Sequence, residues 1–423
     1  MSFASINIGA ACVPTEQISP ASLGREAFRY IDISGIDRDS KVIASANPLL
    51  CSDAPSRARK LVRADDVLVS TVRPNLNAVA MVPTGLDGEI ASTGFAVLRA
   101  NADIVEPKYL FYRTMHPEFV DFLTTNATGA SYPAVSDAVV KRALLPLPPP
   151  SEQRRIVEIL DQADALRKRA RDAGAKAARI LPALFLKMFG DPVANPMGWP
   201  DITIGEITTL VTSGLTPRGG AGVYVDKGPM LIRSQNVLMN RLDLYDVARI
   251  TPDTHAHMRR TRVEPGDVLL NITGASIGRV AWVRHLDSEA NVNQHVCIMR
   301  PDADVVEPSF LSTCLSLPYH QSMITGIQTG ASRQALNHQQ IRQLRVSVPS
   351  RERQREFAQR EAGLHNMNQL RHRAHAELES TFDTLLRRAF SGQLTAKWRE
   401  VHMQELLAEM QEQACLLNPP APN

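Results

Sequence analysis

One offset organises this chain. Asp66-Val67-Leu68 returns as Asp267-Val268-Leu269, a step of 267 − 66 = 201 residues. The same step links Val79-Ala80 to Val280-Ala281, Arg99 to Arg300, Val105-Glu106-Pro107 to Val306-Glu307-Pro308, and Gly129-Ala130-Ser131 to Gly330-Ala331-Ser332. It also links Gln153-Arg154 to Gln354-Arg355 and Phe189 to Phe390. Over residues 66–110, 13 of 45 positions are identical without a gap, where chance at average residue usage gives roughly 3. One constant offset over such a length is a tandem duplication. A duplicated chain of 423 residues builds two related cores rather than one.

Each half follows one plan. Short β-type runs, Asp66–Val72, Ala78–Val82 and Phe95–Leu98, are answered by Val268–Ile272, Arg279–Val283 and Val296–Met299, with Gly, Pro, Asn and Thr between them. A proline stop follows, at Pro146, Pro148, Pro149 and Pro150 in the first half and Pro349 in the second. Then comes a helical stretch. Ile156, Ile159, Ala163, Leu166, Ala170, Ala173, Ala177, Ile180 and Leu184 step by 3 and 4 in alternation, the seam of a helix packed along another helix. Ser151 is the expected cap, Pro182 the expected kink, and Gly190 with Pro192 the end. The second seam reads Phe357, Leu364, Met367, Ala374, Leu378 and Leu385, interrupted by Arg360, Arg371 and Thr381. A helix of about 38 residues is roughly 57 Å long. Two such helices on a duplicated chain are expected to pair antiparallel. The expected fold is α+β: two related mixed α/β domains, at residues 1–149 and 190–348, separated by long antiparallel coiled-coil helices at 150–189 and 349–392. A pseudo-two-fold repeat relates them, and a polar tail runs from 393 to 423. The tail ends Asn418-Pro419-Pro420-Ala421-Pro422 and is expected to be partly disordered.

The halves keep their apolar scaffold and differ in polar loops. Ser70–Asn77, with Arg73, Asn75 and Asn77, stands against Asn271–Gly278, with Thr273 and Ser276. Ser92-Thr93-Gly94 stands against Asn293-Gln294-His295, and Ser131-Tyr132-Pro133 against Ser332-Arg333-Gln334. The second half adds a glycine-rich loop, Ser213–Gly220, with Thr216 and Arg218. Arg233, Gln235, Asn236 and Arg279 complete the candidate set. Arg reaches guanine edges, Asn and Gln reach adenine edges, and Ser, Thr and Tyr anchor phosphates, so such sets suit two readers of different DNA sequences. The formal charge is only +3, and the helical segments carry the excess. Residues 151–189 hold 9 basic and 5 acidic groups, and residues 349–392 hold 8 and 6. A protein gripping DNA alone shows a broader basic face, so a partner is expected to supply much of the phosphate contact.

The run PLPPPSEQRRIVEIL, the two globular halves, VSVPSRERQREF and the ending AFSGQLT together resemble the specificity subunits of type I restriction–modification systems. DDVLVSTVRPNLNAVA with IASTGFAVLRA carries the same likeness, which spans nearly the whole chain. It implies two target-recognition domains, each reading one half of a split double-stranded DNA sequence. It implies helices that space them and dock two methyltransferase (modification) subunits, and restriction (motor-nuclease) subunits that complete the complex. It also implies a chain that is not itself an enzyme. Trp199–Glu206 followed by Gly214-Leu215-Thr216-Pro217 looks like the family's domain opening, whereas the first half shows only an Ile8-Gly9 echo.

Other chemistry is thin. There is no GxxxxGK[ST] phosphate loop and no HExxH, and nothing in the sequence requires a cofactor or metal. Asp103, Glu106 and Lys108 resemble a nuclease metal site, but Lys108 becomes Ser309 in the repeat. Two alternatives to the DNA-reading subunit stay open at this point: a stand-alone nuclease using Asp103 and Glu106, and a protein scaffold that never touches DNA. No apolar run approaches a membrane span, and the first residues lack a signal-peptide layout, so the cytoplasm is the expected compartment.

Overall fold

The computed structural model describes residues 3–217, 219–326 and 335–417. The chain divides into two compact units, residues 1–171 with 373–423, and residues 172–372. Both divisions fall inside long helices, so each unit contains part of each.

In the first unit Cys12–Val13, Phe95–Ala100, Val67–Ser70 and Val79–Met81 form an antiparallel sheet in that order. A mixed sheet of Asn47–Leu50, Ala27–Ile31, Ile90–Ser92 and Ala58–Leu61 lies in the same unit, with Ala27–Ile31 and Ile90–Ser92 parallel. The second unit repeats this. Thr208–Ser213, Val296–Pro301, Val268–Asn271 and Val280–Trp282 form the antiparallel sheet, and Ala248–Arg249, Met230–Ile232 and Ala290–Val292 the mixed one. The central strands are apolar through Val67–Val69 and Phe95–Leu98, and through Val268–Leu270 and Val296–Met299, because both faces are covered there. Val67 and Val69 point into the cluster that holds Ile156 and Phe382, while Leu68 points into a second cluster with Ile31 and Phe95. Val268 and Leu270, against Leu269, divide in the same way.

The repeated polar residues hold this frame. Asp66 is 1% exposed and accepts two bonds from Arg99, at 2.9 and 2.8 Å. Asp267 and Arg300 make the same pair at 2.8 and 3.0 Å. A carboxylate taken out of water requires such a forked partner. Buried Gln153 donates to the Ile104 and Pro148 carbonyls and accepts from the Glu106 amide, and Gln354 does so with Val305, Pro349 and Glu307. One side chain thus fastens the start of each long helix to the turn before the helices Pro107–Met115 and Pro308–Ser316.

The first long helix runs Pro150–Ala177 and resumes as Ile180–Phe189; the second runs Arg351–Phe390. The break falls four residues before Pro182, where the ring opposes the carbonyl it would otherwise meet. Pro150 rather than Ser151 opens the first helix; the Ser151 amide instead donates to Glu409. In the first unit Ile156 and Leu160 share a cluster with Phe382, Leu386 and Ala389, so the start of one helix lies along the end of the other. In the second unit Phe185 and Phe189 meet Phe357 edge to face with ring centroids 5.6 and 5.5 Å apart, the converse pairing. Within each unit the two helices therefore run antiparallel.

The apolar seam expected from the sequence is corrected at six of its fifteen positions. Leu166, Ile180 and Met367 are 50%, 45% and 64% exposed, and Ala173 and Ala374 face outward too; Ile159 is only half-buried. The covered stripe is 156, 160, 163, 167, 170, 174, 177, 181, 184 and 188 on the first helix. On the second it is 357, 361, 364, 368, 371, 375, 378, 382, 385 and 389, the same ten positions shifted by 201. Arg167, Glu361, Asn368, Arg371 and His375 stand in it, and polar side chains hide a stripe from an apolar count.

The C-terminal segment also departs from expectation. Within the tail expected to be partly disordered, Ala396–Val401 and Met403–Leu417 are helices; residues 418–423 lie outside the described residues. Glu152, fully buried, accepts from Thr395 and from Arg399 at 2.9 and 2.7 Å. Gln413 adds a second amide donor to the Ile104 and Pro148 carbonyls.

Candidate nucleic-acid interface

The divergent loops are assembled on one backbone frame in both units. In the first, Thr71 N–H donates to the Gly94 carbonyl, Val135 N–H to the Thr71 carbonyl, and Val72 bridges Ala134. In the second, Ile272 N–H donates to His295, Leu336 N–H to Ile272, and Thr273 bridges Ala335. Every one of these contacts is its counterpart shifted by 201. The frame is conserved within the chain while the side chains it presents are not.

In the first unit this gathers Arg73, Asn75, Asn77, Thr93, Ser131 and Tyr132 at one edge. Arg73 is exposed, its N–H donates to Pro133 at 2.7 Å, and its guanidinium lies 4.8 Å from the Tyr132 ring centroid. Tyr132 is itself 69% exposed, an aromatic–cation pair held in solvent where a core would hide it. Asn75, Thr93 and Ser131 are exposed and Asn77 is half-buried. Exposed Arg57 joins them, its carbonyl taking the Thr93 N–H. No motif marks Arg57, because only the pairing of Ala58–Leu61 with Ile90–Ser92 brings it there.

In the second unit Gly214 N–H donates to Asn293, Asn293 N–H to Ile232, and Asn271 Nδ2 to Ser234. Gly214 is required there: a Cβ would sit 1.6 Å from the Val292 carbonyl oxygen. The gathered side chains are Thr216, Arg233, Gln235, Thr273, Ser276, Gln294 and His295, with Arg279 exposed beside them. Thr273 Oγ1 pairs with His295 Nδ1 at 2.6 Å, and Arg233 lies over Tyr224. The Thr216 hydroxyl is buried without a hydrogen-bond partner among the described residues. Ser213 and His338, which the sequence did not single out, bond at 3.0 Å, and burial then Arg342 push the His338 pKa down.

Three candidates are corrected. Ser92 is 0% exposed and its Oγ accepts from Gly94; Asn236 is 4% exposed and closes its turn through Arg233 and Asp243; Asn293 is 6% exposed and accepts from the His295 amide. They shape loops, because a short polar side chain in a turn satisfies the backbone first. Arg218, Ser332, Arg333 and Gln334 lie outside the described residues.

The nuclease triad does not assemble. Lys108 pairs with Asp161 on the long helix at 2.6 Å, and Glu106 faces Arg154 at 3.6 Å. Among the described residues no group of three or more His, Cys, Asp or Glu could hold a metal ion, and no helix is long and apolar enough to cross a membrane.

Residues 60–173 and 196–380 match the type I restriction modification DNA specificity domain. The chain is 25% identical over 352 residues to the type I restriction enzyme EcoBI specificity subunit of Escherichia coli, covering 74% of each. A chain in a structure described as the structural basis underlying complex assembly and conformational transition of the type I R-M system is 27% identical, with TM-score 0.54, covering 93% of this chain and 98% of that one. The type I S subunit from M. genitalium shares the fold at 14% identity, with TM-score 0.56, covering 92% and 96%. With its two domain matches, its mixed helix-and-strand units and its long helices, this chain belongs to the type I restriction modification DNA specificity family, as a non-catalytic specificity subunit.

Proposed function

We propose that the two units read separate halves of one split DNA target. The first uses the loops at 70–77, 92–94 and 128–134, and the second those at 213–217, 233–236, 271–278 and 293–295. As a type I specificity subunit the chain acts on DNA together with methyltransferase and restriction subunits. Residues 1–149 and 190–348 are the recognition domains in this reading, and 150–189 and 349–392 the spacer that sets the gap and receives the methyltransferase subunits. Adjacent major-groove sites lie one helical turn, ~34–36 Å, apart. The cytoplasm, where chromosomal DNA is accessible, is the proposed compartment.

The observation that carries this reading is the duplicated loop frame holding different polar side chains. A core diverges conservatively, whereas a reading edge changes its donors and acceptors to suit new bases. Methylome sequencing of a host expressing the operon defines the target. Binding of the assembled complex to single-base variants then tests the assignment. Arg73→Ala is expected to lose discrimination in one half and Gln294→Ala in the other, each by about 1–3 kcal/mol per contacted base. Equal loss in both halves from either variant would remove the assignment.

A further inference from the structure

In each unit the loop after the central strand is bounded by two left-handed residues. In the first they are Arg73 (φ 50°) and Asn77 (φ 44°), either side of the turn Pro74–Leu76. In the second they are Gly274 (φ 69°) and Gly278 (φ 84°), 201 residues later. Glycine takes this conformation without steric conflict; a residue with a Cβ does not. The first unit's loop is thus strained at Arg73, while Asn77 is a residue type that tolerates the left-handed region better; strain of this kind persists only where surroundings over-determine it.

The carbonyl of the closing residue is held from outside in both units, by unrelated side chains. Lys41 Nζ donates to the Asn77 oxygen at 2.6 Å. Gln321 Nε2 donates to the Gly278 oxygen at 2.8 Å. Lys41 comes from the hairpin of Ile36–Asp37 and Val42–Ile43, Gln321 from the helix Pro318–Gly326. The counterpart of Gln321 in the first half is Val120, which cannot donate. Two different side chains meeting one contact after duplication indicate that the contact itself is what the loop requires.

We propose that Lys41 and Gln321 are positioning residues for DNA reading. Each holds, through the carbonyl that closes it, the loop presenting Arg73 and Asn75 in the first unit and Thr273 and Ser276 in the second. This rests on the reading of those loops as the DNA-contacting edges. The Lys41 brace is itself anchored. Asp37 accepts from the Asp39 and Ser40 amides, and Arg171 on the long helix donates to the Asp39 carbonyl at 3.1 Å. The ammonium faces Asp37, Asp39 and Arg38 on its hairpin, Arg167 on the long helix and the Asn77 carbonyl. Desolvation there holds its pKa down at about 8, with Asp39 opposing. Above that pH the contact loses its charge-assisted character, while Gln321 has nothing to titrate.

The test uses the full chain assembled with its methyltransferase subunits. Binding is measured to the intact target and to DNAs changed in one half, with Arg73→Ala identifying the half read by the first unit. Lys41→Met is expected to lower discrimination in that half about tenfold and to leave the other half within about twofold. Gln321→Met is expected to do the reverse. Lys41→Arg is expected to keep first-half discrimination and to abolish the decline expected of the native complex between about pH 8 and 9. Equal loss in both halves, or none in either, overturns the brace. A half-selective Arg73→Ala beside a neutral Lys41→Met overturns the brace and leaves the reading standing; a non-selective Arg73→Ala overturns the reading itself. Should Lys41→Met fail to fold, Gln321→Met carries the same test.

Discussion

Two side chains show how burial changes what a residue type does. His116 is 3% exposed, and its Nδ1 accepts from the Glu118 amide at 3.2 Å, capping the helix Pro117–Thr125. That role requires a neutral ring, and desolvation, then Arg113, push its pKa down to about 4 from 6.5, with Glu118 opposing. An unfolded chain takes up this proton as pH falls below about 6.5, whereas the folded one holds off until about 4. Stability is therefore lost across that window, by about 3 kcal/mol at 1.36 kcal/mol per unit. Urea midpoints between pH 7 and 4.5 should fall less for His116→Asn, which caps without titrating; parallel curves would remove the argument. Arg167 occupies a place in the helix stripe, bonds Glu379 and lies 4.0 Å from the centroid of the Phe382 ring. Arg167→Ala leaves that half-covered carboxylate with only Arg171 and His375, at 4.0 and 3.9 Å, and about 2 kcal/mol of destabilisation is expected. The joint change Arg167→Met with Glu379→Leu should restore most of it in chemical unfolding; a double variant no better than the single would contradict this.

At the scale of elements, the long helices were legible in length and in half of their packing. Ile156, Ala163, Ala170 and Ala177 were read correctly as one side of the first stripe. The other side was placed at 159, 166 and 173 because those residues are apolar, whereas 160, 167 and 174 are covered. A hydrophobic count selects whichever neighbour is apolar, and the structure instead accepts Arg167 and Gly174 where pairing and close approach compensate. The corrected stripe repeats every seven residues, so removing one whole heptad between 156 and 177 keeps it in phase. Such a deletion is expected to shorten the preferred gap in the DNA target and leave both half-sequences unchanged, read by methylome sequencing. A changed half-sequence with the gap intact would disprove the spacer assignment.

For the whole molecule, the duplication defines the plan and the C-terminal segment breaks its symmetry. Glu152 is matched by Arg353, so only the first unit has a buried carboxylate awaiting Thr395 and Arg399. The helix Met403–Leu417 then lines a cavity of about 370 Å³ with Phe3, Ile6 and Leu147. Ending the chain at Gln393 should strand Glu152 and expose this apolar surface. Hydrogen exchange is expected to quicken in the first unit while the second keeps its protection; uniform change would show that the segment is not a local clamp. Two related units, the strands at their centres and the long helices were all written in the chain itself, because a fixed offset and a period of apolar residues are linear patterns. Which polar residues face solvent was not. Ser92, Asn236 and Asn293 read like DNA contacts and proved to be turn-formers, while Arg57, Lys41, Gln321 and His338 carried no signal. Their roles depend on which carbonyl or loop lies opposite, and that is settled only when strands distant in the chain pair and bring their ends to one edge.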